Sequence, residues 1–170
     1  MSDEKTTAVW LVDVGYVVKA SEGKFKLDYV RAERMLAEKF GATTTYLFNG
    51  YDTAYGIPSG LQAFYDVMTR HGMKVSLQPM QSGPPGINQQ RRVDVDFSAH
   101  LVWQAGLPHI NTLVVTTGDQ DFVPAITLVR EQFDKRVVLF TYDAMVHSDL
   151  VGIASEWWHF EKHAEHISRR

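Results

Sequence analysis

Two short apolar runs that each lead to an aspartate do most to limit what this chain can fold into. Val9-Trp10-Leu11-Val12 runs straight into Asp13, and Leu113-Val114-Val115 leads through Thr116, Thr117 and Gly118 to Asp119 and Asp121. Short apolar, β-branched runs of this kind fit strands buried on both faces of a parallel sheet. Gly118 allows the chain to turn without a Cβ penalty. From Phe122 the apolar residues recur at helical spacing through Ile126, Val129 and Phe133. The aspartates therefore fall where strand gives way to helix, on the side of an open α/β sheet that holds ligands. Helix capping accounts for one carboxylate of the Asp119/Asp121 pair and leaves the other over. Two carboxylates this close repel unless a cation or proton lies between them.

The remaining pattern supplies the other layers. Residues 1–7 read as a frayed tail and residues 19–26 as a polar loop. Asp28 caps a predicted helix with Tyr29, Ala32, Leu36 and Phe40 on one face, stopped by Gly41. Thr43 to Phe48 reads as a strand ending in Asn49-Gly50, with Asn49, Tyr51 and Asp52 in a turn or at a cleft edge. Ser59 is the expected cap of a helix closed by Gly72, and Met73, Val75 and Leu77 alternate as an edge strand would. Gln81 to Arg92 is one long irregular segment rich in Gly, Pro, Gln and Asn. Asp94 opens a further helix with Phe97, Leu101 and Ala105 inward, and Arg136 to Phe140 is a last clear strand. Beyond Asp149 the pattern weakens to Trp157-Trp158, read as packing residues, and a short charged helix.

Alternating strands and helices imply a mainly parallel sheet of about five to six strands covered on both faces, an α/β/α sandwich. If the strand order reverses after the third strand, the first and fourth become neighbours, and Asp13 faces Asp119 across the crevice. Asp94 reaches the same place from the helix before the fourth strand. Four carboxylates, Asp13, Asp94, Asp119 and Asp121, would then converge from three segments. Oxygen ligands of this kind suit hard divalent cations such as Mg²⁺ or Mn²⁺.

Three motifs carry a resemblance. Leu11-Val-Asp13-Val-Gly15-Tyr16, Arg91-Arg-Val-Asp94-Val and Thr117-Gly-Asp119-Gln-Asp121-Phe122-Val-Pro124 resemble the NYN domain family of the PIN-like nuclease superfamily, its LabA-type branch above all. The resemblance spans roughly residues 8–160, leaving 1–7 as tail and 161–170 as a C-terminal helical tail. It implies a PIN-like fold, an acidic cleft holding Mg²⁺ or Mn²⁺, and cleavage of RNA phosphodiester bonds. By motif position the acidic set is again Asp13, Asp94, Asp119 and Asp121. Tyr16 stands where many relatives carry Asn, and His100 where relatives often place a further carboxylate, with Asp96 an extra acid nearby. Arg91 and Arg92 are the candidate phosphate contacts, since guanidinium matches phosphate in bidentate geometry. Tyr16 and Thr117 are the other candidate substrate-facing residues.

Composition narrows the setting. Among 170 residues, 45% are hydrophobic and 22% charged, ordinary for a globular chain, and a net charge of −3 gives no global pull toward polyanions. RNA would therefore be held by local basic groups or metal. There is no cysteine, which excludes disulfides, thiolate metal sites and a Cys nucleophile. The acidic start lacks a signal peptide's basic and apolar regions, so a cytoplasmic protein without membrane attachment is expected. A homodimer is compatible with such a chain. His159, His163 and His166 have the spacing to share a helix face and bind zinc, but their acidic neighbours fit a solvated helix better. The rival functional expectation is a nuclease-like fold serving as a non-catalytic RNA- or protein-binding module, suggested by His100 and by few, scattered basic residues.

Overall fold

The computed structural model describes residues 5–80 and 91–170. Six strands form one sheet: β1 (Ala8–Asp13), β2 (Thr43–Asp52), β3 (Lys74–Met80), β4 (Thr112–Thr116), β5 (Arg136–Thr141) and β6 (Glu156–His159). Their order is β3-β2-β1-β4-β5-β6, and every pairing is parallel. The order reverses between β1 and β4, as the sequence pattern anticipated.

The alternation of side chains along β1 divides the core in two. Trp10 and Val12 pack under α1 (Val14–Ala20), α2 (Tyr29–Phe40) and α3 (Ser59–Arg70). Val9 and Leu11 pack under α4 (Arg91–Ala105), α5 (Val123–Gln132) and α6 (Ser148–Ile153). Each fully buried apolar side chain is worth about 1.5–3 kcal/mol, so these two layers carry most of the stability. The Trp10 indole also donates to Thr116 Oγ1 at 2.8 Å, and Thr116 donates on to the Phe140 carbonyl at 2.6 Å, tying β1, β4 and β5 together. A final short helix, α7 (Ala164–Ile167), buries Ile167 against the first layer.

Several local expectations are corrected. Asp13 is followed at once by α1, which runs to Ala20 and so takes in the start of the stretch 19–26 expected as a polar loop. Val14, Val17 and Ala20 are buried at helical spacing there. β2 continues to Asp52, so Asn49, Tyr51 and Asp52 lie in the strand, paired with β3, and not in a turn. Ser59 is the first residue of α3 and makes no side-chain cap; Pro58 precedes it. Arg91 and Arg92 form the first turn of α4, so Asp94 lies within that turn and does not open the helix. The rest of the irregular segment, residues 81–90, lies outside the described residues. β6 is a sixth strand where no pattern was legible, because all four of its residues are half-buried. His159, His163 and His166 share no helix: His159 ends β6, and His163 stacks on Trp158. Among the described residues no helix is long and apolar enough to cross a membrane.

Candidate metal centre

The cleft lies at the carboxyl ends of β1 and β4. Because Val12 pairs with Thr116, Asp13 comes level with Thr117 on the neighbouring strand. Thr117 is fully buried, and its hydroxyl donates to Asp13 Oδ2 at 3.1 Å. The Thr117 hydroxyl oxygen in turn accepts from the Asp119 backbone N–H at 3.3 Å. One hydroxyl therefore ties the Asp13 carboxylate, at the end of β1, to the backbone of Asp119 in the loop after β4. Asp13 also caps α1, its Oδ1 accepting from the Tyr16 N–H at 3.2 Å. Asp119 caps the single helical turn Gln120–Phe122, accepting from the Asp121 N–H at 2.8 Å.

Gly118 belongs to the loop for steric reasons. A Cβ there would collide with the Met145 carbonyl oxygen and crowd the Tyr16 ring. Met145 itself adopts φ 60°, and the Gly118 carbonyl accepts from the His147 N–H at 3.0 Å. The loop after β5 thus presses on the loop after β4, which holds Asp119 over the cleft.

Asp94 arrives from the other layer. One oxygen of its carboxyl and one each from Asp119 and Asp121 all lie within 4.8 Å of one another. Asp13, Asp94 and Asp119 line a cleft of about 250 Å³, together with Tyr16, Lys19 and Met145. Burial, and then the charges of Asp119, Asp13 and Asp121, push the Asp94 carboxyl up to about 7. Asp13 is also raised, chiefly by burial and further by Asp119, against the lowering effect of its two hydrogen bonds and Lys19. The donor set is all carboxylate oxygen, from half-buried Asp13, Asp94 and Asp119 and exposed Asp121, with Lys19 as a cation on the cleft wall, and it fits a hard divalent cation with open positions left for water.

The other predicted residues divide. Arg91 lines the groove of Asp94 and Asp121 and also the next one, whereas Arg92 lines only the latter, with Gln78 and Asp96. Tyr16 walls the cleft, but its buried hydroxyl donates to the Ala144 carbonyl at 2.9 Å and is not free for a ligand. Thr117 is likewise committed to the two aspartates. Asp96 bonds Ser76 and pairs with His100 at 3.1 Å, anchoring α4 to β3 away from the cleft. His100 packs against Phe48 and Tyr46, and does not line the acidic cleft. Lys19 was missed; its place on α1, six residues after Asp13, was hidden by reading that stretch as loop.

Such a set of aspartates at a switch point, reached from β1, α4 and the β4 loop, decides among the α/β families when joined to a match over nearly the whole domain. Residues 9–158 match the NYN domain. The chain belongs to the NYN domain family. Membership puts it within the PIN-like nuclease superfamily, and the acidic cluster is in keeping with the divalent-metal dependence general among NYN nucleases. The fold has a solved counterpart in the crystal structure of a protein of unknown function from Vibrio parahaemolyticus. The two are 18% identical with a TM-score of 0.73, and the alignment covers 94% of this chain and 95% of that one. No curated protein matches the chain.

Proposed function

We propose that this NYN protein is a divalent-metal-dependent endoribonuclease of the LabA-type branch, acting in the cytoplasm. The observation that carries the reading is the Asp94, Asp119 and Asp121 carboxylate group beside Asp13, with Asp94 raised to about 7. A gathering that costs stability when empty is better explained by a cation than by packing. Asp94, Asp119 and Asp121 would hold Mg²⁺ or Mn²⁺, with Asp13 as a further direct or water-mediated ligand. Lewis acidity toward a phosphodiester and a lowered pKa for water are what such an ion supplies when bound. To serve as a ligand, Asp94 would have to be deprotonated, which the cation's charge would favour. Thr117 keeps Asp13 and Asp119 at fixed spacing, as a positioning residue. Arg91, on the groove shared with Asp94 and Asp121, is the better placed of the two arginines to hold a backbone phosphate of single-stranded RNA.

Incubation with single-stranded and structured RNA tests this. Cleavage is expected with Mn²⁺ or Mg²⁺, abolished by EDTA and lost in Asp119→Asn. Cleavage that survives EDTA or the substitution defeats the metal mechanism. RNA retained but never cut by the metal-loaded protein would favour the non-catalytic binding module.

A further inference from the structure

A second cavity, of about 360 Å³, lies on the opposite side of α1 from the acidic cleft. Val14, Val17, Leu61 and Phe64 form its apolar walls, and Lys26 and Arg169 stand at its edge. The two cations are held together by backbone pairing: Leu27 bridges Ser168, and the Arg169 N–H donates to the Lys26 carbonyl at 2.9 Å. Among the described residues no carboxylate lies within ion-pair distance of either one. Lys26 instead donates to the buried Ser21 hydroxyl at 3.2 Å.

Tyr29 supplies an independent observation. Only 6% of its surface is exposed, its ring lies against Trp10 and Phe64, and it lines the cavity. The hydroxyls of Tyr16, Tyr46, Tyr65 and Tyr142 are all hydrogen-bonded, whereas that of Tyr29 has no partner among the described residues. Among the described residues no fully enclosed side-chain polar atom is left unpaired, so the unpartnered Tyr29 hydroxyl reaches solvent, and its residue lines this cavity and the neighbouring groove with Arg31 and His71. Burial raises the phenol well above the usual tyrosine range.

We propose that this cavity binds a small amphipathic organic acid, its carboxylate held by Lys26, Arg169 and the Tyr29 hydroxyl and its apolar body lying against Val14, Val17, Leu61 and Phe64. The volume falls at the lower end of the roughly 300–1,000 Å³ common for small-molecule sites. A nucleotide fits less well. Its base edge needs several donors and acceptors, but the walls are hydrocarbon and the Ser21 hydroxyl is already engaged with Lys26 and the Val18 carbonyl. The proposal does not depend on the cleft's activity.

The test uses the full chain, titrated with octanoate and decanoate and followed by calorimetry and amide chemical shifts. Saturable binding is expected, roughly millimolar or tighter, with shifts at Val14, Val17 and Leu61. Decanol should bind at least about tenfold more weakly, because it lacks the charge that Lys26 and Arg169 recognise. A Lys26→Ala/Arg169→Ala variant should lose about tenfold or more for decanoate while binding decanol as before. Both cations are exposed, so the variant is expected to fold. Tyr29→Phe should weaken decanoate a few-fold. Failure of either acid to saturate overturns the proposal, as does equal affinity for decanol. Unchanged decanoate binding in Leu61→Trp, which fills the cavity mouth, overturns it as well.

Discussion

Replacing Asp94 by Asn should stabilise the metal-free protein, and the gain should appear only as pH rises. An Asp has an ordinary value of 3.8, and here Asp94 lies at about 7 because of burial and the three neighbouring aspartates. That gap corresponds to roughly 4 kcal/mol at about 1.4 kcal/mol per pKa step. The side chain is only half-buried, and solvent screening reduces the figure to about 1–2 kcal/mol. Below pH 3.8 the carboxyl is protonated in both folded and unfolded chains, and the penalty is absent. As pH rises toward 7 the unfolded chain ionises while the folded one resists, so stability is lost across that window. At pH 4.5 roughly a quarter of the penalty has developed, and by pH 8 nearly all of it. Thermal melts in EDTA at the two pH values measure it. For a domain of this size about 1–2 kcal/mol corresponds to roughly 2–8 °C. Asp94→Asn should therefore melt higher than wild type by about that much at pH 8, and by far less at pH 4.5. An equal gap at both pH values, or a less stable variant at pH 8, would refute the electrostatic account.

Two further outcomes follow from the same geometry. Mn²⁺ at about a hundredfold over its dissociation constant should add about 2.7 kcal/mol and raise the melting temperature by roughly 5–10 °C. Asp119→Asn should lose most of that rise while keeping its metal-free stability; a full rise in the variant would remove Asp119 from the site. Gly118→Ala drives a Cβ into the Met145 carbonyl and should cost about 1–3 kcal/mol, seen in urea melts, with weakened Mn²⁺ stabilisation. A variant as stable as wild type would mean that the two loops do not press together.

The parts of this architecture that were legible are those set by burial. β1 and β4 announce themselves because both faces of each are covered, and the reversal of strand order, a condition in the sequence reading, is what puts Asp13 beside Asp119. α2 was legible from its stripe together with its Asp28 cap and Gly41 stop. β6 was not, since an edge strand half-buried along its length has no alternation to read. α1 was not legible because the polar residues from Lys19 onward read as loop, although Val14, Val17 and Ala20 carried the helical spacing. Identity of the acidic residues could be read one by one, but their roles could not. Nothing in a linear pattern says that Thr117 bonds both aspartates, that the Tyr16 hydroxyl is taken by the Ala144 carbonyl, or that Arg91 but not Arg92 lines the groove beside Asp94 and Asp121. Those depend on which loops meet, and the Gly118–Met145 approach joins residues far apart in the chain.

The most direct test of the central claim is a crystal structure of the protein soaked in Mn²⁺, with the anomalous signal of the ion mapped. The account predicts one or more peaks among the carboxylates of Asp94, Asp119 and Asp121, with Asp13 in direct or water-mediated contact. A map without a peak in the cleft, with Lys19 or Arg91 folded among the aspartates in place of the cation, would contradict it.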